Sequence, residues 1–428
     1  MQKYSLMTAD EAVKVVKSFD RIYVQAGAST PTILTDALAK RASELRGVEV
    51  SHIITGGNAA YADPKLADSF YVNSFFLAPN VRHIIDAGNG SYTPIFLGEL
   101  PKLFYDKIVP IDGVFISITP PDENGYCSLG VSGEACLAAM EHAKYIIAQV
   151  NEYTPRTYGD TMIHISKITH FVEHNTPLYG FEPSNEVSDV ENKIATNVAQ
   201  LIEDEATLQV GIGSVPDAVL KKLTHLKNLG IHTELLTDGL VELAKKGLVT
   251  GEKKGTDIGK IVCTFAYGSQ KMYDFMNNNS IVEVRGSDYT NNPFVIAKNP
   301  KMVSINSAIE VDITGQVCAD SIGTRMFSGC GGQVDFVRGA VQSKGGISVI
   351  ALSSTTKAGE SRIVPVLKQG AGVVTSRFQV QYVATEYGIV NLQGKNLQQR
   401  QKALIELAHP NHRETIDKAF FEIRQKDK

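Results

Sequence analysis

A single carboxylate, Glu234, interrupts an apolar run at residues 231–236, just before the turn residues Asp238 and Gly239. A glutamate at the end of a strand and beside a glycine-bearing loop can be held rigidly and still reach a substrate, as a nucleophile or a general base must. The alternative is a charged edge residue without a chemical role. The sequence makes Glu234 the first candidate for covalent chemistry.

A second copy of this segment lies in the first half of the chain. Residues 48–57 align without gaps on residues 230–239, which places His52 opposite the carboxylate. Upstream of each copy a strand, a glycine turn and a helix follow in the same order, after a helix that begins with a capping box at Thr8 or Ser188. Similar composition of unrelated βα units is the alternative. Three matched elements indicate an internal duplication in which only the second copy has the carboxylate.

Alternating strand-like and helix-like stretches run through both halves, a pattern typical of parallel α/β sheets. Predicted strands cover residues 21–25, 48–54, 114–119, 145–150, 207–210, 231–236, 261–265, 302–306 and 347–352. We predict two related open α/β domains, residues 1–186 and 187–428, the second carrying Glu234. Turn-forming residues at 179–185 predict the linker, and residues 396–408 and 412–424 predict closing helices.

Composition limits the classes of function. A chain of 428 residues exceeds one ordinary core, and its net charge of −4 provides no basic surface for nucleic acid. No apolar run approaches the roughly 20 residues of a membrane span, and residues 1–4 lead into a predicted capped helix rather than a signal-peptide pattern, so we expect a cytoplasmic protein. The five cysteines form no CxxC pair, which favours reduced thiols over disulfides or a structural metal.

Two glycine-rich turns lie in the same half as the carboxylate. The turn Gly211-Ile212-Gly213 follows a predicted strand, and its backbone N–H groups could face an anion or a developing oxyanion. Residues 328–335, which include Gly332, offer the same chemistry. Either turn could instead need glycine only for a positive φ. Asn291, beside a proline turn, could donate to a carbonyl, although an Asx turn is the alternative.

Longer blocks resemble the acetyl-CoA hydrolase/transferase family over nearly the whole chain, and are most similar to its 4-hydroxybutyrate CoA-transferases and butyryl-CoA:acetate CoA-transferases. These blocks are residues 117–130, 230–234, 320–325, 327–340, 385–390 and 408–410. The resemblance implies two α/β domains with the catalytic glutamate, here Glu234, in the second. It also implies transfer of CoA between an acyl-CoA and a short-chain carboxylic acid such as 4-hydroxybutyrate, butyrate or acetate, by a ping-pong mechanism through a glutamyl-CoA thioester.

The resemblance further implies which residues bind substrate. Ile212 and Gly332 would offer backbone N–H groups to the acyl oxygen, and Asn291 would contact the thioester carbonyl. The implied CoA contacts are Gly211, Ile212, Gly213, Ser214, Val215, Ile309, Ser328, Gly332 and Lys344. Residues 353–361 align only loosely, so no contact to the acid is assigned there. CoA is a substrate in this reaction, so no cofactor or metal is expected, and the family implies a homodimer or a higher homo-oligomer.

Three other functions stay open. Acyl-CoA hydrolysis on the same scaffold differs only in that water accepts the acyl group. A metal hydrolase is suggested by residues 170–174, His-Phe-Val-Glu-His, which match a zinc-binding HxxEH motif, but their neighbours favour a strand over the helix that this motif requires. A non-enzymatic CoA-binding protein would need no nucleophile at Glu234.

Overall fold

A computed structural model of the chain describes residues 4–180 and 187–426. Its strands are β1 (Arg21–Val24), β2 (Val48–His52), β3 (Phe70–Ser74), β4 (Gly90–Tyr92), β5 (Gly113–Ile118), β6 (Tyr126–Ser128), β7 (Tyr145–Val150), β8 (Tyr158–Gly159), β9 (Met162–His164), β10 (His170–Glu173), β11 (Thr207–Val210), β12 (Gly230–His232), β13 (Leu235–Leu236), β14 (Ile261–Cys263), β15 (Phe265–Ala266), β16 (Val282–Val284), β17 (Met302–Asn306), β18 (Glu310–Asp312), β19 (Val317–Cys318), β20 (Ser321–Ile322), β21 (Arg325–Met326), β22 (Ile347–Ala351), β23 (Ile363–Val364), β24 (Tyr382–Thr385) and β25 (Gly388–Asn391).

The α-helices lie between these strands and at the end of the chain. They are α1 (Ala9–Ala12), α2 (Thr32–Lys40), α3 (His83–Ala87), α4 (Leu100–Tyr105), α5 (Cys136–Glu141), α6 (Asp189–Ala199), α7 (Ser214–Lys222), α8 (Asp238–Lys245), α9 (Gln270–Met276), α10 (Ser287–Thr290), α11 (Pro293–Ile296), α12 (Gln333–Gln342), α13 (Leu397–Leu407) and α14 (Pro410–Lys426). Short 3₁₀ helices include Gly27–Ser29 after β1. No helix within the two described ranges has both the length and the apolar composition that a membrane crossing requires.

The chain forms two compact units, and neither is one continuous stretch of sequence. The first unit comprises Met1–Pro183, Glu234–Asp238 and Lys260–Asn291, and the second comprises Ser184–Thr233, Gly239–Gly259 and Asn292–Lys428. Glu234 therefore belongs to the first unit. The predicted boundary between residues 186 and 187 separates two domains related by duplication. A division into compact units does not test whether two domains share an ancestor, so this boundary stays a prediction. The predicted linker at 179–185 lies mostly outside the described residues.

The first unit is built on a parallel sheet with the strand order β10-β7-β5-β1-β2-β3-β4. At its centre β1 pairs with β2 and with β5, so that Tyr23 lies beside Ser51 on one side and Val114 on the other. In the same unit β16 pairs with both β14 and β8. The buried core includes Leu235 and Phe265, which come from the later segments of the chain. These two side chains help to tie the Glu234 segment to this unit.

The second unit contains strands in the order β25-β24-β22-β17-β11-β12, parallel except for the β24–β25 hairpin. Here β11 lies between β12 and β17, as β1 lies between β2 and β5 in the first unit. The two parallel sheets confirm the predicted α/β fold class. Their similar strand order fits an internal duplication, which itself stays a prediction.

Among the helices of the described residues, three begin with a capping box. In two of them, predicted from the sequence, the Thr8 side chain accepts from the Glu11 N–H and the Ser188 side chain accepts from the Glu191 N–H. Asn396 caps α13 in the same way. Each cap satisfies N–H groups that the first turn leaves without a helical partner, worth about 1 kcal/mol. The predicted closing helices are found as α13 and α14.

Two predicted strands are broken in the structure. The stretch 231–236 divides into β12 and β13, and 261–265 ends at Cys263 before β15 begins at Phe265. At both breaks the strand changes its pairing partner. The Glu234 carbonyl accepts the N–H groups of Thr264 and Phe265, and β13 then pairs with β15. The prediction of continuous strands was therefore wrong at the candidate carboxylate itself.

Candidate active site

Glu234 lies at the break between β12 and β13, and its backbone is fixed by two hydrogen bonds. The Thr264 N–H donates to its carbonyl at 3.0 Å and the Phe265 N–H at 3.1 Å. Its side chain is half-buried, whereas the residues on either side of it are buried. A carboxylate placed in this way has a rigid backbone and retains access to solvent.

Asn291 holds the Glu234 side chain. Its Nδ2 donates to Glu234 Oε2 at 2.8 Å, although 57 positions separate the two residues in sequence. Asn291 directly follows α10, and its own N–H donates to the Ser287 carbonyl at 2.9 Å. The Asn291 side chain is buried, and its Oδ1 accepts no hydrogen bond within the described residues. The sequence predicted both residues, and the structure brings them together within the first unit.

The first glycine turn lies in the second unit, at the carboxyl end of β11. The Gly211 N–H donates to the Ile305 carbonyl at 2.9 Å, and Gly213 directly precedes α7 with φ +131°. This conformation is essentially restricted to glycine. No side chain of the described residues caps α7, and Ile212 is 53% exposed. The first N–H groups of α7 are therefore of the kind that can bind an anion.

A hydroxyl–carboxylate contact anchors the start of α7. The Ser214 hydroxyl donates to the carboxylate of Glu191, the same residue that closes the capping box with Ser188. Although burial raises the pKa of Glu191, the hydrogen bonds from Ser214 and Ser188 outweigh it and lower that pKa overall. Glu191 thus joins α6 to the glycine turn. The family resemblance implied only a CoA contact for Ser214, and the contact with Glu191 was not predicted.

The second glycine turn starts α12. Gly332 is the buried N-cap residue, with φ −99°, whereas Gly331 has the positive φ of +52°. The Gln333 side chain donates to the Ser307 carbonyl at 2.8 Å, which ties this helix start to the loop after β17. Because β11 and β17 are parallel neighbours, the Gly211 turn and the Gly332 turn lie at the same edge of the second unit's sheet.

Ile309 and Ser328 lie in the loops of this edge. The Ile309 N–H donates to the Cys318 carbonyl at 2.8 Å, and the Ile309 carbonyl accepts from Arg362 Nε at 2.8 Å. The Ser328 hydroxyl donates to the Ala319 carbonyl at 3.1 Å. The structure therefore groups residues 211–215, Ile309, Ser328 and Gly332 at one edge of one unit.

Lys344 does not lie with this group. It comes between α12 and β22, and its carbonyl accepts the N–H of Lys301, which directly precedes β17. It therefore lies at the amino end of these parallel strands, opposite the edge that carries the glycine turns. Its side chain is exposed. A contact between Lys344 and CoA stays a prediction that this placement does not strengthen.

The alternative zinc motif lies in an extended segment. Residues His170–Glu173 form β10, and four residue steps of extended chain place the Cα atoms of His170 and His174 roughly 13 Å apart. Both histidines of such a motif must reach one ion from adjacent turns of a helix. Within the described residues, no group of three or more His, Cys, Asp or Glu side chains is arranged to hold a metal.

Two charged residues near these sites were missed by the sequence reasoning. Glu134 is 1% exposed, and its carbonyl accepts from Ser287 at the start of α10. Arg362 donates to the carbonyls of Ala308 and Ile309. Burial lowers the pKa of Arg362, while Glu386 acts in the opposite direction. The signal for Glu134 was present as a lone carboxylate in the apolar run 131–140. Arg362 follows the loosely aligned stretch 353–361, which concealed it.

Sequence models of two domains match the chain: the acetyl-CoA hydrolase/transferase N-terminal domain over residues 2–181 and the C-terminal domain over residues 268–420. The chain belongs to the acetyl-CoA hydrolase/transferase family, which confirms the family predicted from the sequence blocks.

Individual relatives match over nearly the full length. The chain is 46% identical to the 4-hydroxybutyrate coenzyme A transferase of Clostridium kluyveri, covering 98% of this chain and 97% of the relative. It is 47% identical to the succinyl-CoA:acetate/propanoyl-CoA:succinate CoA transferase of Fasciola hepatica, covering 96% and 87%. The crystal structure of a 4-hydroxybutyrate CoA-transferase from Porphyromonas gingivalis superimposes with a TM-score of 0.83 at 39% identity, covering 98% and 97%.

Proposed function

We propose that this protein, a CoA-transferase, moves CoA between a short-chain acyl-CoA and a free carboxylic acid, with Glu234 as the covalent nucleophile. The observation that carries the proposal is the 2.8 Å hydrogen bond from Asn291 Nδ2 to Glu234 Oε2, on a half-buried carboxylate whose backbone is also fixed. The names of the relatives support the reaction class.

The first half of the reaction transfers CoA to the enzyme. A Glu234 oxygen attacks the thioester carbonyl, and collapse of the tetrahedral oxyanion expels the CoA thiolate and leaves a mixed anhydride. The thiolate then attacks the Glu234 carbonyl of the anhydride. The substrate acid leaves as a carboxylate, and Glu234 remains as a glutamyl-CoA thioester. The second acid runs the same steps in reverse, so no redox change or ATP is needed.

Asn291 acts on the glutamyl carbon in this proposal. When the thiolate or the incoming acid adds there, negative charge develops on the glutamyl oxygen to which Asn291 Nδ2 donates in the free enzyme. A donor already in place needs no reorganisation, and removal of such a donor typically costs 10²–10³-fold in turnover. Its own position is fixed by burial and by the Ser287 carbonyl.

Residues 211–215, Ile309, Ser328 and Gly332, at the carboxyl ends of the second unit's parallel strands, form what we call the glycine edge. This glycine edge is proposed to bind the acyl-CoA. The backbone N–H groups of Ile212 and Gly332 would stabilise the oxyanion at the acyl carbon, since helix starts without a side-chain cap present N–H groups to an anion. The remaining CoA contacts proposed are Gly211, Gly213, Ser214, Val215, Ile309 and Ser328. Lys344 would serve only a distant anionic part of CoA.

The substrates are proposed from the relatives. A 4-hydroxybutyrate, butyrate or acetate type of acid fits the sequence blocks, while the Fasciola hepatica relative is named for succinyl-CoA, acetate and propanoyl-CoA. Acyl-CoA hydrolysis is the second candidate, because the matching family includes hydrolases. The two differ in whether product thioester forms when a carboxylate acceptor is added.

An acceptor panel tests the function. Purified protein is given butyryl-CoA or acetyl-CoA with acetate, butyrate, 4-hydroxybutyrate or succinate, and both the new thioester and the free thiol are measured. We expect new thioester to exceed free thiol, and Glu234→Ala to abolish it. Glu242→Ala, which removes an exposed glutamate of α8, is the matched control and should behave as wild type. Equal thiol release with and without acceptor would establish the hydrolase instead.

We further propose that the enzyme uses no cofactor beyond CoA as substrate and works in the cytoplasm as a homo-oligomer. The electron balance of the reaction supports the first statement, and the family resemblance and composition support the others. Transfer should survive exhaustive dialysis against a chelator. Light scattering after size-exclusion chromatography should give a mass of at least twice the 46.5 kDa chain.

A further inference from the structure

Glu134 is a buried carboxylate in the first unit that the proposed mechanism does not use. It is 1% exposed, and its oxygens accept from Tyr23 Oη at 3.0 Å, Ser132 Oγ at 2.7 Å, the Ala26 N–H at 3.3 Å and Cys136 Sγ at 3.5 Å. A buried carboxylate is costly unless several donors satisfy it. These donors hold the Glu134 side chain in one position, between the end of β1 and the start of α5.

The backbone of Glu134 is connected to Asn291 through hydrogen bonds to Ser287. The Glu134 carbonyl accepts both the N–H of Ser287, at 2.8 Å, and the Ser287 hydroxyl, at 3.1 Å. Ser287 begins the single turn of α10, and its carbonyl accepts the Asn291 N–H at the other end. One helical turn therefore connects Glu134 to the amide that donates to Glu234.

The segment that precedes Glu134 also fixes the Glu234 backbone. The Gly133 N–H donates to the Thr264 carbonyl at 3.0 Å, and the Ala266 N–H donates to the Val131 carbonyl at 2.8 Å. Between these two bonds lies Phe265, whose N–H, together with that of Thr264, holds the Glu234 carbonyl. Residues 131–134 thus contact both the strand that positions Glu234 and the turn that positions Asn291.

Resting on the proposed function, we propose that Glu134 is a positioning residue that sets the distance between Asn291 Nδ2 and the Glu234 carboxylate. It touches neither substrate nor the reacting atoms. Its four donors hold residues 131–134 in one conformation, and that conformation fixes the two elements of the pair relative to each other. Catalysis by a preorganised donor loses on the order of 10²-fold when groups move by about 1 Å.

A double-mutant cycle tests this role. Glu134→Ala should lower kcat at least about tenfold while KM for acyl-CoA stays within about twofold, because the residue acts on the transition state. Glu134→Gln keeps the shape and one acceptor oxygen, and should recover most of the turnover. Because Glu134 is proposed to set the distance between Asn291 Nδ2 and the Glu234 carboxylate, adding Glu134→Ala to Asn291→Ala should slow the enzyme much less than Glu134→Ala slows the wild type.

A structural control separates positioning from loss of stability. Asn151 is also buried in the first unit and bonds to Tyr153 and Thr176. Asn151→Ala should lower the melting temperature but leave kcat per folded enzyme unchanged. If Glu134→Ala does not fold, Ser287→Ala replaces it, since it removes one hydrogen bond to Glu134 and should cost up to about tenfold in kcat, again with a much smaller effect beside Asn291→Ala.

The outcomes are distinct. Losses that multiply in the double mutant, or a Glu134→Ala enzyme with wild-type kcat, overturn the positioning role while an inactive Glu234→Ala variant still supports the proposed function. Full transfer by Glu234→Ala overturns both.

Discussion

Glu234 is held at two points, and the proposed role as a nucleophile depends on both. Its carbonyl is fixed by the N–H groups of Thr264 and Phe265, and its carboxylate is held by Asn291 at 2.8 Å. Misplacement of a reacting group by about 1 Å can cost on the order of 10²-fold in rate. Side-chain length should therefore matter as much as charge.

Glu234→Asp tests this at constant charge. The substitution withdraws the carboxylate by about one bond length, ~1.5 Å, so the Asn291 contact is lost and attack on the thioester weakens. Water can enter the vacated space, with the shorter carboxylate as general base. We expect most transfer to be lost and the ratio of free thiol to new thioester to rise. An unchanged ratio would show that side-chain length does not decide between transfer and hydrolysis.

His52, aligned opposite Glu234 in the predicted duplication, lies in a buried environment that suits a structural role rather than a catalytic one. It is fully buried in β2, its Nδ1 contacts the Ile53 carbonyl at 2.8 Å, and burial lowers its pKa from 6.5 to about 4. The ring is therefore neutral at pH 7. We expect His52→Gln to reduce stability more than turnover per folded enzyme.

The same burial makes stability depend on pH. The unfolded chain binds a proton at His52 more readily than the folded chain, so the stabilisation by the neutral ring is complete above pH 6.5 and is lost as the pH falls toward 4. The loss amounts to roughly 3 kcal/mol. Denaturant unfolding of wild type and His52→Gln between pH 7 and pH 4.5 measures it, with exposed His225→Gln as control. Identical slopes in all three proteins would contradict the assignment.

Single residues were predictable where their chemistry stands out in the sequence. Glu234 and Asn291 were found because a lone carboxylate and an amide beside a turn are visible in the chain itself. Glu134 is also a lone carboxylate in an apolar run, but its role could not be predicted because it depends on Tyr23, 111 positions away. The half-burial of Glu234 likewise depends on the break between β12 and β13, which the hydrophobic pattern of residues 231–236 did not predict.

At the scale of elements, the glycine edge depends on backbone conformation. Gly213 has φ +131°, a region that other residues enter only at a cost of about 1–3 kcal/mol. Of the atoms in the described residues, a Cβ there would meet only the Pro216 ring, at 3.9 Å. Strain in the backbone, rather than a clash, is therefore what a substitution would introduce.

Gly213→Ala should alter the start of α7 and raise KM for the acyl-CoA severalfold. Gly247→Ala is the matched control, since Gly247 also has a positive φ, of +73°, with open space at its Cβ, but lies after α8. Both variants should lose stability, and only Gly213→Ala should change the kinetics. Equal kinetics in the two variants would restrict the first glycine turn to a role in folding.

Elements were predictable where one strand has one partner on each side. The bounds of β7, β11 and β17 match those predicted, because each is a continuous buried run. The predicted strands 231–236 and 261–265 were broken, since apolar character continues across a change of partner. Lys344 was grouped with the glycine turns by resemblance, and only the direction of β22 shows that it lies at the other edge.

At the scale of the whole molecule, sequence order and compact units differ. Residues 234–238 and 260–291 cluster with the first unit, and Leu235 and Phe265 lie in its core at 3% and 6% exposure. An α/β pattern read along the chain predicts sheets correctly but cannot show that a later segment returns to an earlier sheet. That return depends on contacts between residues more than 100 positions apart.

A fragment of residues 1–186 should therefore be incomplete. It lacks Leu235 and Phe265, and β8 loses its partner β16. We expect the fragment to unfold without a cooperative transition and to expose apolar surface, while the full chain unfolds cooperatively. Circular dichroism and dye binding measure both properties. A cooperative fragment with native-like stability would instead support an independent domain that ends near residue 186.

The covalent role of Glu234 is tested most directly by mass spectrometry of the enzyme after incubation with acyl-CoA and no acceptor acid. Reaction through a glutamyl-CoA thioester predicts that the peptide containing Glu234 gains the mass of CoA less one water. Addition of acetate should then remove the adduct and produce acetyl-CoA, and Glu234→Ala should show no adduct. A wild-type enzyme that transfers CoA without ever carrying it on Glu234, or an adduct that persists in Glu234→Ala, would contradict the mechanism.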